Sequence, residues 1–232
     1  MSRVLALAPR MHESLVALGV WEPLDELMGR LGRPVAYVVG GFPRDLIRLE
    51  NDRDVEPKDV DVVVDTADLA RELAAMRGRR ETTPLGGFRW TPPGSRVPVD
   101  IWQLADTIWI RELHLKPTIE SLLAGVDLDM DRAAISLDGS DERVDDAREA
   151  LSTGEIRSNP IPECKISDLA EDEMARALLL SWKTGFTLSP ALERQLEKTD
   201  RMALVDRAWS RFPREGYTPQ EIGLVLEQVA LT

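Results

Sequence analysis

The stretch GGFPRD at residues 40–45, followed after a polar segment by KDVDVVV at residues 58–64, decides how this chain is expected to fold. The two glycines follow the compact apolar run VAYVV at residues 35–39, which predicts a buried strand ending in a tight turn. Proline suits the first turn of a helix, so we expect a helix over residues 43–49. Such a turn can offer backbone N–H groups to a phosphate, although a Gly-Gly pair is more often only a turn.

The second part of the stretch predicts another strand, over residues 59–64, with two acids on one side. Residues two apart in a strand point to the same face, so Asp59 and Asp61 are expected side by side. Two neighbouring carboxylates repel each other unless a cation lies between them, and a divalent metal ion is the usual solution in phosphoryl chemistry. The alternative is a solvent-facing strand edge whose two acids bind nothing.

A third acid, Asp100, lies within the apolar run VPVDIWQ at residues 97–103. The turn at Pro92-Pro93-Gly94 predicts that this run pairs with a strand around Phe88-Arg89-Trp90. A lone acid in an apolar strand costs desolvation energy unless it is paired or bound to a metal. Three carboxylates converge if this strand lies beside that of Asp59 and Asp61. Otherwise Asp100 caps a loop or pairs with Arg89 or Arg96.

Taken in order, these motifs resemble the signature of the polymerase-β-like nucleotidyltransferases. They are similar to the head domain of bacterial-type poly(A) polymerases and class II CCA-adding tRNA nucleotidyltransferases, which read Gly-Gly-x-Val-Arg-Asp and then Asp-x-Asp. The resemblance extends over residues 35–200. It implies an α+β fold with a small mixed β-sheet head, flanking helices and an all-α neck-like domain. The expected division is an N-terminal helical segment at 1–32, the head at 33–158 and the neck-like domain at 159–232.

The resemblance also implies an activity and a set of site residues. The expected reaction is metal-dependent transfer of a nucleotide from a nucleoside triphosphate to a hydroxyl acceptor, such as an RNA 3′ end, with release of pyrophosphate. Asp59, Asp61 and Asp100 would be the catalytic carboxylates and would bind Mg²⁺ or Mn²⁺. The residues expected to bind the nucleotide, by backbone or side chain, are Gly40, Gly41, Arg44, Asp45, Asp127, Asp131 and Arg176.

Within that set, the glycine turn and the residues after it have distinct expected roles. The N–H groups of Gly40 and Gly41 would bind phosphate oxygens. Arg44 and Asp45 would brace the turn, and Arg44 could also reach a phosphate. Asp100 could help to accept the proton of the attacking hydroxyl.

The chain departs from the family pattern at positions that matter for nucleotide recognition. Asp131 stands where the family has an Asn expected to contact the sugar or triphosphate. The Glu-Asp-x-x-Arg motif whose Asp and Arg read the incoming base becomes Leu169-Ala170-x-x-Glu173. These departures leave two alternatives open. One is a non-catalytic or regulatory nucleotide-binding protein, and the other is a nucleotidyltransferase that modifies a protein or a small molecule.

The charge balance bears on the acceptor. The 232-residue chain has 41 Asp and Glu residues against 29 Lys and Arg residues. An acidic chain is a poor general binder of phosphate backbones, so RNA is only weakly indicated as a partner. Family members that act on tRNA carry further helical body and tail domains to hold it. The sequence does not predict such domains here, which also weakens the expectation of an RNA partner. The sequence does not indicate an oligomeric state.

Cysteine, histidine and hydropathy patterns exclude other classes. A single cysteine, Cys164, and two histidines, His12 and His114, leave no basis for a His/Cys metal cluster. The apolar start at residues 4–8 is too short for a secretory signal, and no apolar run approaches the length that spans a membrane. The sequence therefore predicts a cytoplasmic protein without a membrane partner.

Overall fold

The structure is a computed structural model that describes residues 6–49, 58–83, 86–159, 170–211 and 218–230. The chain divides into two compact units, residues 1–125 with 131–148 and residues 126–130 with 149–232. The strands are β1 Ala36–Val39, β2 Val60–Val64, β3 Arg79–Thr82, β4 Phe88–Thr91, β5 Val99–Gln103, β6 Ala134–Ser136, β7 Glu142–Arg143, β8 Glu155–Ile156 and β9 Thr187–Leu188. The helices are α1 Ala8–Ala17, α2 Trp21–Arg30, α3 Gly41–Arg48, α4 Leu69–Ala75, α5 Ile108–Glu112, α6 Ile119–Ala124, α7 Asp145–Thr153, α8 Ala170–Thr184, α9 Pro190–Leu196, α10 Arg201–Arg211 and α11 Pro219–Ala230.

The first unit is built on a seven-stranded mixed sheet with the strand order β3-β4-β5-β2-β1-β6-β7. Strands β2 and β5 run parallel, and the other neighbouring pairs run antiparallel. The mixed sheet predicted from the sequence is therefore confirmed.

The central position of β2 follows from its composition. Its four valines are almost completely buried, as expected for a strand covered on both faces, and only Asp61 interrupts the apolar run. Helix α3 packs against both β1 and β2. The turn between β1 and α3 is therefore held next to the acidic end of β2.

The second unit is mainly helical, as predicted. Helix α8 contacts α9, α10 and α11, and its buried side chains, among them Met174 and Leu178, belong to an apolar core shared with Leu192, Leu204 and Ile222. One feature departs from the all-α expectation, because β8 and β9 form a short parallel pair in this unit.

Most predicted elements are present, with ends shifted by one or two residues. The helix predicted at 43–49 begins earlier, at Gly41, and the strand predicted at 35–39 begins at Ala36. Strand β3 was not predicted, because its residues Arg-Arg-Glu-Thr are all exposed at a sheet edge and carry no apolar pattern. The domain boundaries at 32 and 158 stay predictions. In the described parts of the chain, no helix is both long enough and apolar enough to cross a membrane.

Candidate active site

Strand register brings the predicted carboxylates to one side of the sheet. In the parallel pair β2/β5, Asp61 lies opposite Asp100, and in the antiparallel pair β4/β5, Arg89 lies opposite the same Asp100. Directly opposite residues share a face of the sheet. Asp59 precedes Asp61 by two residues, immediately before β2, and its carboxylate also contacts Arg89. We call these four residues, Asp59, Asp61, Arg89 and Asp100, the carboxylate face.

Arg89 links two members of the carboxylate face. Its Nη2 atom lies 3.4 Å from Asp59 Oδ2, and its Nε atom lies 3.5 Å from Asp100 Oδ1. The second contact is an ion pair but not a hydrogen bond. Among the described residues, Asp100 Oδ1 is buried and has no hydrogen-bond donor. Pairing with Arg89 was one of the alternatives that the sequence left open for Asp100, and it occurs together with convergence of the strands.

Burial sets the protonation of Asp100. It raises the pKa of this carboxyl from an ordinary 3.8 to about 6, because a charged carboxylate is poorly solvated there. The positive charge of Arg89 lowers the pKa, and the negative charge of Asp59 raises it. The ionised form at neutral pH therefore lacks part of the stabilisation that water or a cation would give it.

The carboxylate face fits a divalent cation in the chemistry of its donors. Carboxylate oxygens are the ligands that Mg²⁺ and Mn²⁺ prefer, and a buried oxygen without a hydrogen bond is a suitable ligand atom. As the side chains stand, no three His, Cys, Asp or Glu residues in the described ranges are arranged to hold a metal ion. Arg89 provides the positive charge between Asp59 and Asp100 in this arrangement.

The glycine turn lies beside the carboxylate face. Gly40 has φ 69° and ψ −123°, a conformation that favours glycine, and a Cβ atom added there would lie 3.7 Å from Asp61 Oδ2. The N–H of Gly40 donates to the carbonyl oxygen of Ala133 at 2.9 Å. That hydrogen bond does not support the predicted phosphate contact from Gly40, whereas the contact from Gly41, the first residue of α3, stays a prediction.

Arg44, Asp45 and Asp131 form a buried ionic cluster behind the turn. Each is at most 5% exposed. Arg44 Nε donates to Asp45 Oδ1 at 2.9 Å, and Arg44 Nη1 donates to Asp131 Oδ1. This geometry supports bracing by Arg44 and Asp45. It does not support a phosphate contact from Arg44 or a sugar contact from Asp131, because both groups are buried against each other.

The remaining predicted residues lie in the second unit. The carbonyl oxygen of Asp127 accepts a hydrogen bond from the N–H of Asn159 at 2.7 Å, and Arg176 lies half-buried on α8. Glu173 is buried and accepts a hydrogen bond from the hydroxyl of Ser158. Nucleotide binding by Asp127 and Arg176 stays a prediction. Two residues discussed from the sequence, Cys164 and Leu169, lie outside the described residues.

Comparison with known proteins identifies the fold. No protein-family model and no curated protein matches the chain. Among solved structures, a CCA-adding enzyme in complex with CTP matches at a TM-score of 0.65 and 18% identity, over 97% of this chain and 55% of that one. The Thermotoga maritima CCA-adding enzyme complexed with tRNA matches at a TM-score of 0.60 and 19% identity, over 92% of this chain and 51% of that one.

A tRNA-processing enzyme complex matches at a TM-score of 0.58 and 21% identity, over 88% of this chain and 54% of that one. The chain thus spans about half the length of these structures. The matches cover nearly all of this chain, so it has the α+β fold of CCA-adding enzymes, as its motifs predicted.

Proposed function

We propose that this chain is a metal-dependent nucleotidyltransferase that transfers a nucleotide from a nucleoside triphosphate to a hydroxyl acceptor. The observation that carries the proposal is the strand register, which sets Asp61 opposite Asp100. Asp59 reaches the same cluster through Arg89, and the Gly40 turn lies beside Asp61. Solved CCA-adding enzymes with CTP and with ATP share the fold, which supports a nucleotide as the substrate.

In the proposed reaction, the acceptor oxygen attacks the α-phosphorus and forms a new P–O bond. The bond from the α-phosphorus to the bridging oxygen breaks, and pyrophosphate leaves with the electron pair. Asp59, Asp61 and Asp100 would hold Mg²⁺ or Mn²⁺, which would neutralise charge on the triphosphate and make the hydroxyl more acidic. Asp100 Oδ1 is buried and has no hydrogen-bond donor among the described residues, so Asp100 would also be placed to help accept the hydroxyl proton. The N–H of Gly41 would orient a phosphate oxygen.

The tRNA 3′ end is the first acceptor to test. A solved CCA-adding enzyme of this fold is in complex with tRNA. The chain's excess of 41 acidic over 29 basic residues weakens general attraction to RNA, which keeps a protein or small-molecule acceptor as the alternative.

A second candidate function is regulatory nucleotide binding without transfer. It is favoured by the two residues that differ from the family's nucleotide-recognition motifs, because both form hydrogen bonds within the protein. Asp131 accepts a hydrogen bond from buried Arg44, and Glu173 accepts one from Ser158. The carboxylate face argues for catalysis, because a binding protein does not need three converging acids.

The test is incubation with α-³²P-labelled CTP or ATP, Mg²⁺ or Mn²⁺, and RNA, protein or small-molecule fractions as acceptors. Wild type and Asp59→Ala are compared in parallel. We expect label to move into one acceptor class with wild type, and transfer to fall on the order of a thousandfold in the variant. Metal-dependent nucleotide binding without transfer to any acceptor would contradict catalysis and support the regulatory candidate.

A further inference from the structure

One row of residues crosses four strands of the sheet. Register places Glu81 on β3 opposite Arg89 on β4, Arg89 opposite Asp100 on β5, and Asp100 opposite Asp61 on β2. Opposite residues share a face, so Arg89 lies between an acid on its outer side and the site acids on its inner side. Arg89 lies in the hairpin that resembles the family, but neither the resemblance nor the proposed reaction assigns a role to Arg89 or Glu81.

Arg89 is engaged with the inner side of this row. Its guanidinium contacts Asp59 at 3.4 Å and Asp100 at 3.5 Å, and about one third of its side chain is exposed. Contacts of this length are loose for charge-assisted hydrogen bonds, which are typically about 2.7–2.9 Å. Arg89 is therefore a loosely held cation between these two carboxylates.

A divalent ion bound by the same carboxylates would meet the positive charge of Arg89. The two cations repel each other when both lie close to Asp59 and Asp100, so binding of the ion favours movement of the guanidinium away from these carboxylates. The outer acid of the row, Glu81, could bind the guanidinium after it moves. Glu81 lies directly across from Arg89 and is about half exposed, with its carboxylate 2.6 Å from Arg79.

We propose that Arg89 is an internal cation that competes with the divalent ion for Asp59 and Asp100 and is taken up by Glu81 when the ion binds. Nucleotide-free protein then binds divalent ions more weakly than the three carboxylates alone would. The inference rests on the proposed function for the presence of a metal site, and it adds a residue that sets the affinity of that site. Arg89 acts here as a positioning residue and not as a catalytic residue.

The test is titration of nucleotide-free protein with Mn²⁺, with free Mn²⁺ measured by its electron paramagnetic resonance signal. Arg89→Gln is expected to bind Mn²⁺ about tenfold more tightly than wild type, because the competing charge is gone. Arg89→Lys keeps a cation and is expected to remain near wild type. Arg71→Gln is the matched control, because it removes the same charge from an exposed side chain on α4 that contacts Asp68 and Glu72.

A second variant tests the outer half of the row. Glu81→Gln removes the acceptor for the displaced guanidinium and is expected to weaken Mn²⁺ binding about threefold. It leaves the inner contacts of Arg89 unchanged, so it tests the proposal even if Arg89→Gln folds poorly. Circular dichroism and the melting temperature in EDTA check the fold of each variant, and the Mn²⁺-induced rise in melting temperature should be larger for Arg89→Gln than for wild type.

The proposal is overturned if Arg89→Gln binds Mn²⁺ no more tightly than wild type, if Glu81→Gln leaves the affinity unchanged, or if none of these proteins binds Mn²⁺. Its failure is distinguishable from failure of the proposed function. Nucleotide transfer with unchanged Mn²⁺ affinity in Arg89→Gln would refute only the role of Arg89. Tighter Mn²⁺ binding in Arg89→Gln without any transfer by wild type would refute only the enzyme.

Discussion

Replacing Asp100 by Asn should change how the stability of the protein depends on pH. Burial raises the pKa of Asp100 in the folded protein to about 6, whereas an ordinary Asp has a pKa of 3.8. The folded protein therefore binds this proton more tightly than the unfolded chain does. Its contribution to stability is fully present below about pH 3.8 and is lost as the pH rises through about 6.

The magnitude follows from the same two pKa values. Each pKa unit corresponds to about 1.4 kcal/mol, so a rise from 3.8 to about 6 corresponds to about 3 kcal/mol. The Asp100 side chain is 23% exposed, so water screens its charge in part. This screening lowers the expected contribution from about 3 to about 1–2 kcal/mol. Asp100→Asn cannot ionise, so its free energy of unfolding relative to wild type should rise by about 1–2 kcal/mol between pH 4 and pH 7.5.

Urea-induced unfolding in EDTA measures this difference, followed by circular dichroism and tryptophan fluorescence at both pH values. EDTA is required because a bound divalent ion would favour the ionised carboxyl. Asp206→Asn, which removes an exposed carboxylate on α10, is the control and should change by less than about 0.5 kcal/mol. If the stability of Asp100→Asn relative to wild type stays constant or falls between pH 4 and pH 7.5, burial does not govern this carboxyl and the reasoning is refuted.

Two further stability predictions concern the turn and the residues behind it, both measured by urea unfolding at pH 7.5. Arg44→Met removes the guanidinium that bonds to both buried carboxylates, Asp45 and Asp131, although Asp45 keeps a longer contact with Arg48 at 4.0 Å. The variant should cost about 3–5 kcal/mol, and a loss below about 1 kcal/mol would contradict the buried cluster. Gly40→Ala should cost about 1–3 kcal/mol because of its φ of 69° and ψ of −123°. Its control, Gly29→Ala in α2, has open space around the added Cβ and should gain up to about 1 kcal/mol, so equal effects at the two glycines would contradict the strained turn.

Local sequence patterns were sufficient for the elements that build the site. Four valines around Asp61 predict a buried strand because a strand covered on both faces must be apolar throughout. The glycines at 40 and 41 predict the turn because an ordinary side chain is strained at the φ that Gly40 adopts. The motifs in their order also predicted the fold that the solved CCA-adding enzymes share.

Contacts between distant parts of the chain could not be predicted in the same way. Arg44 and Asp131 are 87 positions apart, and no spacing rule indicates that they pair. The Gly40 N–H was expected to be available for a phosphate, but it donates to Ala133 across the β1/β6 pair. The sequence could not show whether Arg89 or Arg96 contacts Asp100. The register of β4 and β5 determines that it is Arg89.

The unpredicted edge strand illustrates the same limit. Strand β3 is held in place by its pairing with β4, and none of its own residues is apolar or buried. Its position is nevertheless relevant to the site, because it places Glu81 opposite Arg89. Strand pairing of this kind depends on tertiary structure and leaves no periodic signal in the sequence.

Nucleotide transfer by wild type and Asp61→Ala, with Asp206→Ala as the matched control, tests the central claim most directly. The assay follows label from α-³²P-CTP and α-³²P-ATP into tRNA and other acceptors in the presence of Mg²⁺ or Mn²⁺. We predict transfer by wild type and Asp206→Ala, and a loss on the order of a thousandfold in Asp61→Ala, which should keep its circular dichroism spectrum. Transfer at the wild-type rate by a folded Asp61→Ala protein would contradict the assignment of the carboxylate face as the active site.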